Sequence, residues 1–222
     1  MGLSVVTNVG ALVSGFAAAR HSSASETSMQ RLSSGYRINS AADDVAGASI
    51  SARLSADIGG LTQAMRNAAD AQNFLDTAEG AYGEVSNILL RIRELAVQAS
   101  SSTNSTSDIG YIEDEMTALE SEITAIGTDT TWSDIEMIGG DAAAFQFQLG
   151  SNSGDDITVT TTALTLSALS LSASSVTDTT TASSYIATVD SAIETLNGLR
   201  SDVAEVSNRL NFTIANLTNN LS

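Results

Sequence analysis

Apolar residues recur at intervals of three and four from Leu54 through Ile58, Leu61, Met65, Ala68, Gln72, Leu75, Ala78, Tyr82, Val85, Leu89, Ile92 and Ala96 to Ala99. This is the seam of a coiled-coil helix, held for about six heptads. A helix over about 45–100 would be roughly 84 Å long at about 1.5 Å per residue. A globule of this chain length has a radius of gyration near ~17 Å. The spacing therefore predicts an elongated molecule.

A second seam runs through Ile112, Met116, Leu119, Ile123 and Ile126, after the turn-like SSSTNSTSD at 100–108. A third runs through Val189, Ile193, Leu196, Val203, Val206, Leu210, Ile214, Leu217 and Leu221. Narrow stripes of this kind are unstable alone, so the three helices are expected to bury them against one another. Towards the N-terminus a weaker pattern, Val5, Val9, Leu12, Phe16 and Ala19, then Met29 and Leu32, loses register at Ser23 and Glu26. It predicts a helix that needs a partner from elsewhere.

Between the second and third seams the period changes to two. FQFQL at 145–149 and ITVTT at 157–161 alternate, and GSNSGDD between them is turn chemistry, which predicts a β-hairpin. Residues 164–184 are of low complexity and polar at alternate positions, and read as an exposed strand or loop. The expected class is mainly α with a small β part. Its expected segments are an N-terminal helix (1–40), a long rod (41–130), a β/loop region (131–184) and a returning helix (185–222).

The stretch RLSSGYRINSAADDVAG at 31–47 joins the first two helices. Ser33, Ser34 and Gly35 are poor helix formers that would end the first. Asn39 or Ser40 would cap the next, with Asp43 and Asp44 in its first turn, where the helix dipole favours negative charge. Arg31 and Arg37 would close ion pairs across the bend.

Aromatics make up only 5% of the chain, so the expected core is built of small and aliphatic side chains, which suits slender packed helices. Residues 1–53 are about neutral and the rest of the chain is strongly acidic, and an acidic surface without a basic patch argues against nucleic acid or an anionic membrane as partner. Lys, Cys and Pro are absent, which removes disulfides, thiolate metal sites and the commonest helix breaker. The first 20 residues have no basic residue ahead of their apolar part, and Val6 breaks the myristoylation pattern, so neither a cleavable secretory signal nor that anchor is expected. No apolar run approaches the ~20 residues that cross a bilayer.

No catalytic constellation emerges, and neither an enzyme activity nor a cofactor is expected. His21 is the single histidine, which leaves Ser-His-Asp and HExxH chemistry without support. The pairs Asp43/Asp44 and Asp155/Asp156 stand in no calcium-loop pattern and read as caps and turns, so no metal site is expected. The sequons at Asn104, Asn211 and Asn216 carry little weight in a chain so rich in Asn, Ser and Thr.

RLSSGYRINSAADDVAGASIS at 31–51 closely resembles the signature of the bacterial flagellins, and so do residues 60–99 and 196–222, from LNGLRSDVAEVSNRL onward. The resemblance implies an extracellular filament of many copies of the chain, serving motility. It implies export without a cleavable signal through the flagellum's own channel, and as partners the export apparatus, a chaperone, and the filament cap and hook-junction proteins. Val5, Val9, Leu12 and Phe16 would pack in the filament core. Arg31, Gly35, Arg37, Asn39, Asp43 and Asp44 would form the inter-domain joint. Arg91, Leu95 and Glu115 match the motif contacted by a vertebrate Toll-like receptor and are expected at the surface. Flagellins ordinarily continue past this chain's last residues into a C-terminal helix, so truncation or genuine loss of that helix is expected. The rival readings are a hook-filament junction protein and a soluble coiled-coil adaptor.

Overall fold

The computed structural model describes residues 8–139, 144–171 and 175–221; Val5 lies outside them. In chain order the elements are α1 (Val9–Ser34), α2 (Val45–Ala99), α3 (Thr106–Asp129), β1 (Thr131–Trp132), β2 (Ile135–Glu136), β3 (Ala144–Gln148), β4 (Asp156–Thr160) and α4 (Thr179–Leu221). The chain forms two compact units, 1–58 and 59–222, and the division falls within α2.

In the first unit, α1 starts at Asn8, whose side chain accepts the Ala11 N–H at 3.2 Å. It ends where Gly35 turns left-handed at φ 74°, its N–H reaching the Arg31 carbonyl at 2.9 Å. Glycine adopts that conformation without the Cβ clash other residues suffer. The start of α2 corrects the expected cap. Asp44, not Asn39 or Ser40, accepts the Gly47 N–H at 2.9 Å, while Asp43 turns back to accept the N–H groups of Asn39 and Ser40 at 3.1 and 3.0 Å. Both carboxylates thus stand just ahead of the first turn rather than in it, because each is used to close the loop that feeds the helix.

The second unit is built on α2, α3 and α4. As cross-links descend α2 from Arg93 to Glu79 to Gln72, their partners ascend α4 from Asp190 to Arg200 to Ser207, so the two helices run antiparallel. At 43 residues, α4 is about 64 Å long. From Ala68 onward the expected seams supply the buried faces: Ala68, Leu75, Ala78, Tyr82, Val85, Leu89, Ile92, Ala96 and Ala99 from α2, Ile112, Met116 and Ile123 from α3, and Val189, Leu196, Val203, Leu210 and Leu217 from α4. Ala64 and Ala71 widen the α2 face, and Ala182 and Ala192 match them on α4.

The short turn after α2 ends at Ser105, whose hydroxyl and backbone exchange hydrogen bonds with Asp108 in a capping box. Helix α3 therefore begins inside the segment read as a turn. β1 and β2 form a small antiparallel pair turned through Ser133 and Asp134, both at positive φ. β3 and β4 form the expected hairpin, with Phe145 opposite Val159 and Phe147 opposite Ile157. Phe74 of α2 anchors both pairs, its ring 4.6 Å from Phe145, 5.6 Å from Phe147 and 6.2 Å from Trp132.

The described part of 164–184 departs from the exposed strand or loop expected of it. Leu164, Leu169, Leu171 and Val176 are buried, and α4 begins at Thr179, with Asp178 accepting the N–H groups of Thr180 and Thr181 at 2.8 Å. The segment lies flush on the end of α3, where a Cβ on Gly127 would come within 2.9 Å of the Leu164 carbonyl oxygen. Its leucines are core residues carried on irregular backbone.

Two buried tyrosines give the unit a dependence on alkaline pH. Tyr82 is 1% exposed, and burial, reinforced by Glu79 and Asp202, pushes its hydroxyl from the ordinary 10.0 up to about 12. Tyr185 is raised further by burial and by donating to Glu120. The unfolded chain therefore loses these protons first, so stability is intact below pH ~10 and falls as pH rises towards ~12.

Leu89→Ala should lower unfolding stability by about 2–5 kcal/mol, read from urea denaturation followed by circular dichroism. Between pH ~10 and ~12 the wild-type chain should lose roughly 1–2 kcal/mol per pH unit from Tyr82, and the Tyr82→Phe curve should be flatter by that amount. Superimposable pH curves would show that Tyr82 ionises as freely folded as unfolded.

Candidate assembly surface

Helix α1 buries none of its 26 residues. Val9, Leu12, Val13 and Phe16, spaced as one helical stripe, are each more than half exposed, and so are Met29 and Leu32 further along. In the same unit Val45, Ile50, Leu54 and Ile58 are also more than half exposed, although Leu54 and Ile58 open the long seam in the sequence. Burial along α2 begins only at Ala64. Covering a large apolar side chain contributes about 1.5–3 kcal/mol, so this stripe is a reservoir of association energy.

The joint residues are held by local bonds. Arg37 meets Asp44 at 3.7 Å with its side chain largely in water. Arg31 forms no ion pair among the described residues, contrary to expectation; its carbonyl accepts the cap from Gly35, and its charge is the weakest of the influences on Asp43. Hydrogen bonds from the Asn39 and Ser40 backbone hold the Asp43 carboxyl below the usual carboxylate range. Ile38 sits so close to Gly47 that a Cβ there would come within 2.7 Å of its methyl. Beside the joint, Tyr36, Ile38 and Ser40 face Ala48, Ser51, Ala52 and Ser55 across an open groove of about 500 Å³.

In the second unit, Arg91 and Glu115 pair at 2.8 Å between α2 and α3, each about half exposed, and Glu94 takes a further bond from Arg91. Leu95 does not join them at the surface: it is 2% exposed and belongs to the core. Its burial follows from α2 packing on both α3 and α4, which makes the buried face wider than a two-position seam. The sequence reading missed Arg93–Asp190 at 2.6 Å and Arg200–Glu79 at 2.6 Å. A signal was present, since Glu79, Arg93 and Asp190 each directly follow a seam residue, where coiled coils place pairing charges. Asp155 serves its hairpin turn by accepting from Asn152.

Charge divides with the units. Residues 1–58 balance Arg20, Arg31, Arg37 and Arg53 against Glu26, Asp43, Asp44 and Asp57, so the whole −17 falls on 59–222. Of the Arg residues there, Arg91, Arg93 and Arg200 are already engaged with carboxylates. Among the described residues no helix is long and apolar enough to cross a membrane.

Comparison with known proteins supplies the family. Residues 5–143 match the profile of the bacterial flagellin N-terminal helical region. A flagellin of Halalkalibacterium halodurans is 41% identical over 196 residues, which cover 87% of this chain and 72% of that protein. Flagellin D of Vibrio cholerae is 40% identical over 160 residues, covering 72% of this chain but only 42% of its own length. The crystal structure of Bacillus cereus flagellin superposes with a TM-score of 0.62 at 32% identity, over 68% of this chain and 88% of that one. An uncovered apolar helix, a packed antiparallel core and these kinships on the same helices agree: the chain belongs to the bacterial flagellins, the structural subunits of the flagellar filament.

Proposed function

We propose that this chain polymerises into the extracellular flagellar filament by burying the apolar stripe of α1 against other copies of itself. The observation that carries this reading is a 26-residue helix with nothing buried. Isolated helices of this length are marginal in water, and α1 carries its large apolar side chains in the open. The role is mechanical: long packed helices resist bending, and no catalytic step belongs to it. Export through the flagellar apparatus with a chaperone, and contact with cap and hook-junction proteins at the filament ends, complete the proposed partners. The joint from Arg31 to Asp44 would set how the α1 helix enters the polymer.

An innate immune receptor of the Toll-like class would meet this subunit at Arg91 and Glu115, which the exposure of their ion pair leaves accessible. Leu95 would support that surface from beneath.

Phe16→Asp should reduce sedimentable polymer by roughly tenfold or more, because a charge replaces a side chain whose burial contributes about 1.5–3 kcal/mol. Thermal unfolding of the monomer should stay within about 1 °C of wild type, since Phe16 touches no core. Filaments of normal yield by electron microscopy would refute the placement of α1 in the polymer core. Arg91→Ala should weaken receptor signalling in a reporter cell line while leaving monomer stability within about 1 kcal/mol, the ordinary worth of an exposed pair; an unchanged dose response would remove Arg91 from that contact.

A further inference from the structure

We propose that the second unit carries a binding site for a neutral sugar ring, set between the turn of the β3–β4 hairpin and the exposed face of α4. A groove of about 450 Å³ lies there, within the range of roughly 300–1,000 Å³ found for small-ligand pockets. Leu61, Leu149 and Leu217 give it an apolar lining, and Phe212, 78% exposed, stands among them. Phe74, Phe145 and Phe147 of the same unit are packed ring against ring, whereas Phe212 has no ring partner among the described residues.

The polar groups of the groove complement that ring. Phe212, Asn216 and Asn220 follow at intervals of four on one face of α4. Asn220 donates through Nδ2 to Asn216 Oδ1 at 2.9 Å, which leaves the Asn216 amide as a donor and the Asn220 carbonyl as an acceptor. The hairpin turn contributes the Ser151 hydroxyl and the Asp155 carboxylate, whose Oδ2 takes the bonds from Asn152. The turn is fixed on α2. Asn67 donates to the Gln148 carbonyl at 2.9 Å, and a Cβ on Gly60 would come within 2.9 Å of Ser151 Cβ. The site is therefore formed before anything enters it, which lowers the cost of binding.

This set fits a sugar better than other small ligands. A hydroxyl both donates and accepts, so two neighbouring ring hydroxyls satisfy the donor and the acceptor that the asparagine pair leaves open. The polarised C–H groups on one face of a pyranose suit the negative face of an aromatic ring. No basic residue lines the groove and Asp155 is its only charge, which disfavours phosphates, nucleotides and acidic sugars. All of these residues lie within 59–222, so the site exists in the single chain. In a filament a weak site would recur in every copy and act through avidity, a consequence that rests on the filament reading.

The test is a titration of the isotope-labelled monomer with methyl α-D-glucopyranoside, read by nuclear magnetic resonance at the side-chain amides of Asn216 and Asn220. Saturable shifts with a Kd of about 1–10 mM are expected for one ring held by a few contacts. Phe212→Ala should weaken binding roughly tenfold and Phe212→Trp should keep it, with helix content by circular dichroism unchanged in both. Asn220→Ala should weaken it roughly fivefold. The corresponding methyl glucuronide, the same ring bearing a carboxylate, should bind at least about threefold more weakly. No saturable shift up to about 100 mM sugar, equal affinity in Phe212→Ala, or a glucuronide that binds as well as the neutral sugar would overturn the proposal. Shifts that follow protein concentration and not sugar would also overturn it, and would assign Phe212 to a contact between copies. The filament reading is judged by sedimentation, which none of these outcomes decides.

Discussion

The apolar contact between α2 and α4 is the constraint on which the rest of the second unit hangs. Each helix buries a stripe of mixed alanine and aliphatic residues, and helices owe most of their stability in water to such packing. Ion pairs such as Arg93–Asp190 lie beside this contact and are about half exposed, so they add little beyond ~1 kcal/mol each. Burial sets the strength of the pair, and the charges trim its geometry. The hairpin and the irregular segment before α4 attach to the same core through Phe74, Leu164 and Leu169, which makes them dependent on it.

What the sequence showed and what it concealed follow from the same packing. Residues such as Leu75, Leu89, Leu196 and Leu210 were legible as buried because a period of three and four marks one face of a long helix, although the same period at Leu54 and Ile58 falls on exposed side chains. Leu95 was not, because its burial requires knowing that two helices cover α2 at that level. The leucines of 164–171 were hidden for a different reason. Alternation with Ser and Thr resembles a half-exposed strand, but those side chains are gathered by turns, where no fixed period applies. At the joint, composition announced a cap without saying which acceptor would take it. Asp44 prevails over Asn39 and Ser40 because it stands directly before the first helical residue.

The two units embody opposite solutions to the same problem. The second buries its helix seams internally and exposes carboxylates, leaving only scattered apolar side chains such as Tyr111 and Phe212 in the open. The first, formally neutral, leaves its apolar surface unsatisfied. A subunit that must exist as a monomer before it becomes part of a polymer benefits from both, because its longest unsatisfied apolar stripe is separate from the packed core.

One polar contact in the seam reaches beyond its own bond. Gln72 occupies a seam position and donates through Nε2 to Ser207 of α4 at 2.6 Å, while its Oε1 finds no partner among the described residues. A seam of Ala, Leu and Val is nearly self-similar, so α4 sliding by one heptad, about 10 Å, would place apolar groups against apolar groups again. It would also take Ser207 from Gln72 and leave a second polar atom of that amide unpaired in the interior. Gln72 thus acts as an index mark on an otherwise repetitive scale. In a polymer of many copies, where a two-turn error in one subunit would be passed to its neighbours, such a mark makes every subunit the same length.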